Sequence, residues 1–303
     1  MKKKFEKQNK IPLAVIHGGA WSGDSPNEVE KRQKAIRWIL DRGWKHISKG
    51  QGASEAVTNL VGMLEADPLF NAGKGATLQA DGMARLSASL MEGKSQQFSG
   101  VHLVTHTVHP SKLAAALQQK QNRVLGPVGS QLLARELGIP PENPVTPEEA
   151  NRWASWIEKT NSPTHSTSQP HALQGTVGAV VIDAQGNLAA ATSTGGVSFV
   201  TPERISDSAT PAGNYATSYA AISCTGTGEH IFNHGAAVRL ETRVCDGKTI
   251  IEASELLLKE IESAHSSFGW VAVDRMGNIA MCTSTEGMVC LAMAASFSEP
   301  VSL

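Results

Sequence analysis

The chain has 303 residues and a formal net charge of −1, which argues against a nucleic-acid or membrane surface held by bulk charge. No apolar run reaches the ~20 residues of a membrane span, and the charged stretch 1–10, expected to be frayed, lacks the apolar core of a signal peptide. Cys224, Cys245, Cys282 and Cys290 form no CxxC pair and read as buried thiols of a cytoplasmic protein, not as a disulfide frame or zinc site.

In chain order, residues 13–16 predict a short strand that ends at His17-Gly18-Gly19-Ala20, where paired glycines permit close backbone approach. Residues 28–48 carry Ala35, Ile36, Ile39 and Leu40 at helical spacing. A second helix is expected to be capped by Ser54 and to stop before Asp67-Pro68. The loop around Lys74 is no phosphate cradle, because Gly75-Ala76-Thr77 follows the lysine instead of a hydroxyl residue opening a helix. Residues 76–93 read as a hairpin about Asp81-Gly82, and 101–108 as a strand. On that strand His109 faces away from His102 and His106, so the three histidines do not form a metal site. Helices follow at 112–121, 129–137 and 147–159, the last capped by Thr146, and then a Ser- and Pro-bearing linker at 160–175.

The linker ends at Gln174-Gly175-Thr176-Val177-Gly178. A threonine hydroxyl is a poor nucleophile without a base in reach. A cut between Gly175 and Thr176 would supply one, because the freed α-amine has a pKa of roughly 7.7–8.0. Gly175 lacks the Cβ that would oppose a strained, self-cleaving bond. Thr176 is equally readable, on this stretch alone, as the first residue of a buried strand.

Residues 178–196 and 269–287 match at an offset of 91. Asp183, Gly186, Asn187 and Thr192-Ser193-Thr194 correspond to Asp274, Gly277, Asn278 and Thr283-Ser284-Thr285. Each unit is a strand, an Asp-x-x-Gly-Asn turn and a second strand, so two similar hairpins are expected in facing sheets. Between them, Ser223-Cys224-Thr225-Gly226-Thr227-Gly228-Glu229 leads into an expected helix at 230–240 and offers hydroxyls and bare amides for an oxyanion or anion. His230 and His234 on that helix lack the glutamate of a zinc-protease motif.

Taken together, the chain resembles the plant-type asparaginase / isoaspartyl aminopeptidase family of N-terminal-nucleophile hydrolases. The resemblance runs from about Pro12 to Met288 and rests on ordered motifs. These are His17 to Ala20, Pro68-Leu69-Phe70-Asn71-Ala72-Gly73, Gly175 to Val180, Gly186 to Gly196, Ser223 to Glu229, and Thr285-Glu286-Gly287-Met288. It implies an α/β (α+β) fold, a four-layer αββα sandwich spanning 1–303 as one domain. It further implies self-cleavage into an α piece (1–175) and a β piece (176–303), which stay together and pair into a dimer of αβ units.

The resemblance also implies a substrate and roles. Thr176 would attack the side-chain amide of asparagine or the isopeptide bond of a β-aspartyl dipeptide, and a covalent acyl-enzyme would release aspartate. Thr194 matches the residue that positions the nucleophile, and Thr225 with Gly226 the oxyanion hole. Arg204 matches the holder of the substrate carboxylate, and Asp207 with Gly228 the holders of its ammonium. Asn71 falls near the scissile bond. No catalytic cofactor is implied, but a structural sodium ion is, on the backbone carbonyls of Leu64, Glu65, Asp67, Phe70, Ala72 and Lys74. No nucleic-acid or membrane partner is expected.

The chain departs from the family pattern around Arg204. In Glu203-Arg204-Ile205-Ser206-Asp207-Ser208-Ala209, Glu203 and Ser206 stand where the family usually has glycine and Ala209 where it has proline. Ser87 replaces an aspartate of the first hairpin, and Thr283-Ser284 replace Phe-Asn. Two alternatives remain at this level: a poorly active or uncleaved relative that binds small amino acids, and a glycosylasparaginase-type threonine hydrolase.

Overall fold

The computed structural model describes residues 1–160 and 175–303. Strands β1 (Lys2–Glu6) and β2 (Leu13–Trp21) come first, then helices α1 (Pro26–Ile47) and α2 (Ala53–Ala66). Strands β3 (Leu86–Glu92) and β4 (Gln97–Val104), helix α3 (Pro110–Leu117), strand β5 (Val124–Leu125) and helices α4 (Pro127–Glu136) and α5 (Pro147–Thr160) complete the first half. The second half begins with β6 (Val177–Ile182), β7 (Leu188–Thr194), β8 (Asn214–Ala216) and β9 (Ala220–Gly226). Helices α6 (Gly228–His234), α7 (Ala236–Cys245) and α8 (Ile250–Ser263) follow, and β10 (Phe268–Asp274), β11 (Ile279–Thr283), β12 (Gly287–Ala294) and β13 (Val301–Ser302) close the chain.

These strands make two sheets, one of five in the order β1-β11-β10-β9-β8 and one of eight in the order β13-β12-β2-β6-β7-β3-β4-β5. Strands covered on both faces read as unbroken apolar runs; every residue of Val177–Ile182 and of Phe268–Asp274 is buried. Leu13, Val15, Val180 and Ile182 of the larger sheet meet Val271, Val273 and Met281 of the smaller in an inter-sheet core. On the outer face of the larger sheet, Ile36, Ile39 and Leu40 of α1 and Val57, Leu60 and Leu64 of α2 pack in a second core. Leu240 of α7 and Leu257 and Ile261 of α8 do the same on the smaller sheet. The result is the expected αββα layering.

The repeated hairpins explain how each outer helix layer is fastened. Asp183 Oδ1 accepts from the Gln185 and Asn187 amides at 2.9 Å each, which closes the β6–β7 turn. Its Oδ2 accepts from the Ala53 amide at 3.1 Å, the first residue of α2. Asp274 closes the β10–β11 turn in the same way, and its Oδ2 accepts from Ile250, the first residue of α8, at 3.0 Å. A carboxylate at a helix N-terminus is favoured by its free amides and dipole. Thus α2 is capped by a hairpin 130 residues away; Ser54, expected to be the cap, lies inside the helix, and the N-cap residue is Gly52.

Several other expectations are corrected. Lys2–Glu6 is not frayed, since it pairs antiparallel with β11 as a charged edge strand. β2 does not end at His17 but runs through the glycines to Trp21. The first hairpin is β3–β4, paired Glu92 to Gln97, so it turns at 93–96 and not at Asp81-Gly82. β4 stops at Val104. His109 is therefore the N-cap residue of α3, with Glu65 Oε2 3.3 Å from its Nδ1. The helix expected at 230–240 is two helices, broken at Gly235, whose φ of +53° is left-handed. Cys224, Cys282 and Cys290 are buried, but Cys245 is exposed. The linker at 160–175 lies outside the described residues except at its two ends.

Candidate active site

The mouth of the site is the place where β2, β6, β7 and β9 end together. Thr176 precedes β6, and its hydroxyl donates to Thr194 Oγ1, the last residue of β7, at 3.1 Å. Thr194 Oγ1 also accepts from the Gly196 amide at 3.0 Å. Both threonines are buried. On β9, Thr225 Oγ1 accepts from the Ala20 amide at 3.0 Å, which leaves its own proton free to donate.

Glycines set how closely these strands approach. A Cβ on Gly175 would stand 2.2 Å from Gly19 Cα and 2.5 Å from the Ala20 nitrogen. Gly19 itself has φ +109°, a conformation that L side chains rarely adopt. The Gly175–Thr176 bond is therefore pressed against β2 with no room for any side chain on either partner. A Cβ on Gly178 would fall 2.0 Å from Ser223 Oγ and 2.5 Å from His17 Nε2.

Beneath the nucleophile runs a buried polar line. His17 Nε2 lies 2.8 Å from Ser223 Oγ, which lies 2.6 Å from Thr192 Oγ1. Thr192 donates to Asn214 Oδ1 at 3.0 Å, and Asn214 Nδ2 donates to the Ala190 carbonyl. Thr192 gives its one proton to Asn214, so it accepts from Ser223, and Ser223 in turn accepts from His17. This places the His17 proton on Nε2 and leaves Nδ1 bare. Burial pushes the His17 ring down to about 3, and the neighbouring Thr176 backbone offsets little of that. The ring is neutral at any working pH and acts as a fixed strut.

Arg204, Asp207 and Gly228 form one patch. A Cβ on Gly228 would lie 2.5 Å from Arg204 Nη2 and 2.8 Å from Asp207 Oδ1. Arg204 Nε and Nη2 donate to the two oxygens of Glu229 at 2.9 and 2.8 Å, a bidentate pair that fixes the plane of the guanidinium. The same pair holds the Glu229 carboxyl below its ordinary value. Burial pushes Asp207 up to about 6, against the pull of Arg204 and the Ser206 hydroxyl. Its Oδ2 is buried with no hydrogen-bond partner among the described residues and faces Gly213, whereas Oδ1 faces Gly228.

Asn71 pins the turn that follows Thr194. It donates to the Gly196 carbonyl at 2.7 Å, and its own carbonyl accepts from Gly195 at 3.0 Å. With Gly175, Lys31 and Arg32 it lines a cleft of about 270 Å³ beside the scissile bond. The six carbonyl residues at 64–74 belong to the C-terminal turn of α2 and the loop after it. That end of a helix carries free carbonyls and the negative end of its dipole. Four of these carbonyls, of Leu64, Asp67, Phe70 and Ala72, accept the backbone amides of Asp67, Phe70, Ala72 and Gly75.

Some residues were not singled out from the sequence. Ser208 Oγ lies 3.4 Å from the Thr176 hydroxyl. The buried Glu65 side chain accepts from Ser193 at 2.7 Å and from the Ser111 amide and hydroxyl at 3.0 and 2.6 Å, which ties the loop after α2 to the residue beside Thr194. Trp156 of α5 stacks on Phe199 with ring centroids 4.8 Å apart, and Arg152 donates to Ser198, so α5 braces the segment that leads to Arg204. Ser193, Ser208 and Glu229 sit inside motifs already legible; Trp156 and the side-chain role of Glu65 carry no local signal.

A family model described as asparaginase matches residues 10–301. An isoaspartyl peptidase/L-asparaginase of Synechocystis is 38% identical over 278 residues, covering 89% of this chain and 84% of the relative. An isoaspartyl peptidase of Salmonella typhimurium is 36% identical, with 92% and 94% covered. A plant-type L-asparaginase of Pyrococcus abyssi is 32% identical, with 94% and 97% covered.

Proposed function

The chain belongs to the asparaginase family of hydrolases, and on that premise we propose that it is a self-cleaving amidohydrolase acting on L-asparagine and β-aspartyl dipeptides, with Thr176 as nucleophile. The supporting observation is the Thr176–Thr194 hydroxyl pair beside a Gly175 backbone that has no steric alternative. In the intact chain the Thr176 nitrogen is an amide. Cutting before it gives fragments 1–175 and 176–303, held together by β6 pairing with β2 and β7 pairing with β3 in one sheet. The free amine then takes the proton of the attacking hydroxyl and passes it to the leaving group.

The substrate is held by charge and hydrogen bonds. Arg204 takes the α-carboxylate with the edge of its fork that Glu229 leaves open. The Asp207 carboxylate and the Gly228 carbonyl take the α-ammonium. Thr225 and the Gly226 amide stabilise the oxyanion, where losing one donor costs on the order of 10²–10³ in rate. Water then hydrolyses the aspartyl ester on Thr176. The carbonyls of Leu64, Glu65, Asp67, Phe70, Ala72 and Lys74 would hold a structural sodium ion, which stiffens the loop bearing Asn71. We place the mature protein in the cytoplasm as a dimer of αβ units, a setting that suits its unpaired cysteines. Incubation with asparagine or a β-aspartyl dipeptide tests this reading: wild type releases aspartate and Thr176→Ala does not. Equal release by both would remove Thr176 from the chemistry.

A further inference from the structure

Mature enzyme has the Thr176 amine as its base, but the intact chain does not. Self-cleavage needs another acceptor for the hydroxyl proton, and the hydrogen bonds around Thr176 point to one. Thr194 accepts from Thr176 at 3.1 Å and from the Gly196 amide at 3.0 Å, so both of its lone pairs are filled. The other neighbour, Ser208 Oγ, is 3.4 Å away. From there the line continues to Ser206 Oγ at 3.1 Å and to Asp207 Oδ1 at 3.2 Å.

The direction of this line is fixed. Ser206 gives its one proton to a carboxylate, and it accepts from the Ser208 amide at 3.3 Å. Its remaining lone pair must therefore accept from Ser208, which leaves Ser208 free to accept from Thr176. All three side chains of the turn are buried, and the Ser89 hydroxyl holds the Ser208 carbonyl at 2.6 Å. Within the turn every hydroxyl points toward one carboxylate; the Thr176 proton rests on Thr194 and must turn to Ser208 for the line to carry it. Ser206 stands where the resembled pattern has glycine, so this line belongs to the present chain.

We propose that in the intact chain Ser208 and Ser206 pass the Thr176 hydroxyl proton to Asp207, which makes the residue that later holds the substrate ammonium the base of self-cleavage. Ser206 is then a positioning residue. The proposal rests on the self-cleaving reading above. As Thr176 Oγ1 bonds to the Gly175 carbonyl carbon, its proton moves to Ser208, that of Ser208 to Ser206, and that of Ser206 to Asp207. The Gly175–Thr176 C–N bond then breaks and the departing nitrogen takes a proton, which restores the carboxylate. Water hydrolyses the resulting ester to the Gly175 carboxylate and the free Thr176 hydroxyl. The 3.4 Å step is longer than a strong O–H···O bond, so a small approach of Ser208 gates the transfer.

Asp207 is suited to the task because burial holds it near 6, a stronger base than an ordinary carboxylate. The charged groups facing it are Arg204, which lowers it, and Glu229 on α6, which raises it. The Cys224 thiol of β9 is pushed up in part by Asp207. His102 of β4 meets the Ala209 backbone on the other side of the turn, and β3 and β7 contribute Ser89 and Thr194, which do not titrate.

The test follows conversion of freshly made full-length chain into two pieces by intact mass between pH 5 and 8. Wild type is expected to slow as pH falls through about 6. Ser206→Ala is expected to cut at least ~10-fold more slowly and to lose that inflection, given the ~10²–10⁴-fold worth of general-base catalysis. Ser206→Thr, which keeps the hydroxyl, is expected to stay within a few-fold of wild type. Unchanged cutting by Ser206→Ala overturns the relay. Equal slowing of both variants with the inflection retained also overturns it, by reducing Ser206 to a cap of its turn. If wild type itself never cuts, the functional reading fails, which is a different result.

Discussion

Asp207 is held in the fold at a cost, and that cost is measurable. Its folded value of about 6 lies above the ordinary 3.8 because burial penalises the charged form. A carboxyl raised on folding contributes most stability when neutral in both states, below about pH 4, and loses it as pH rises toward 6. A difference of about two units corresponds to about 3 kcal/mol at 1.36 kcal/mol per unit. Asp207→Asn removes the charge, and its amide can keep an acceptor for Ser206. The comparison is best made between Thr176→Ala and Thr176→Ala/Asp207→Asn, so that both chains are uncut. At pH 7.5 the double variant should melt several degrees higher; near pH 4 the two should coincide, the window being set by 3.8 and about 6. A lower melting temperature at pH 7.5, or the same difference at both pH values, would refute the reasoning.

Two further outcomes follow from the geometry. Arg204→Ala should raise KM for asparagine by ~10-fold or more, from loss of a charge-assisted pair, and steady-state kinetics that show an unchanged KM would place the carboxylate elsewhere. Gly178→Ala puts a methyl 2.0 Å from Ser223 Oγ and 2.5 Å from His17 Nε2, so the buried line must open; soluble yield and melting temperature should fall sharply, by roughly 1–3 kcal/mol or more, and a neutral result would mean the strands can part.

The sequence revealed what is local or covalent. Asp183 and Asp274 were legible as turn residues because a carboxylate three residues before a Gly-Asn pair has one usual employment. Their second oxygens, which cap α2 and α8, were not, since no local pattern reports partners 130 and 24 residues away. The Gly175–Thr176 pair was readable because its chemistry is contained in two adjacent residues. Lys2–Glu6 was misread as frayed because an edge strand made of lysines carries none of the apolar alternation that marks a strand. β2 was cut short at its glycines, which weaken a strand in isolation and are needed here for contact with Gly175. Ser206, Ser208 and Glu65 gained meaning only when the turn at 207–209 and the loop after α2 were folded against β7.

The most direct measurement is N-terminal sequencing of the purified full-length protein after incubation, paired with its intact mass. The account predicts two fragments, one of which begins Thr176-Val177-Gly178-Ala179, in wild type and none in Thr176→Ala. A single uncut chain that still releases aspartate from asparagine, or an alanine variant that splits at the same bond, would contradict it.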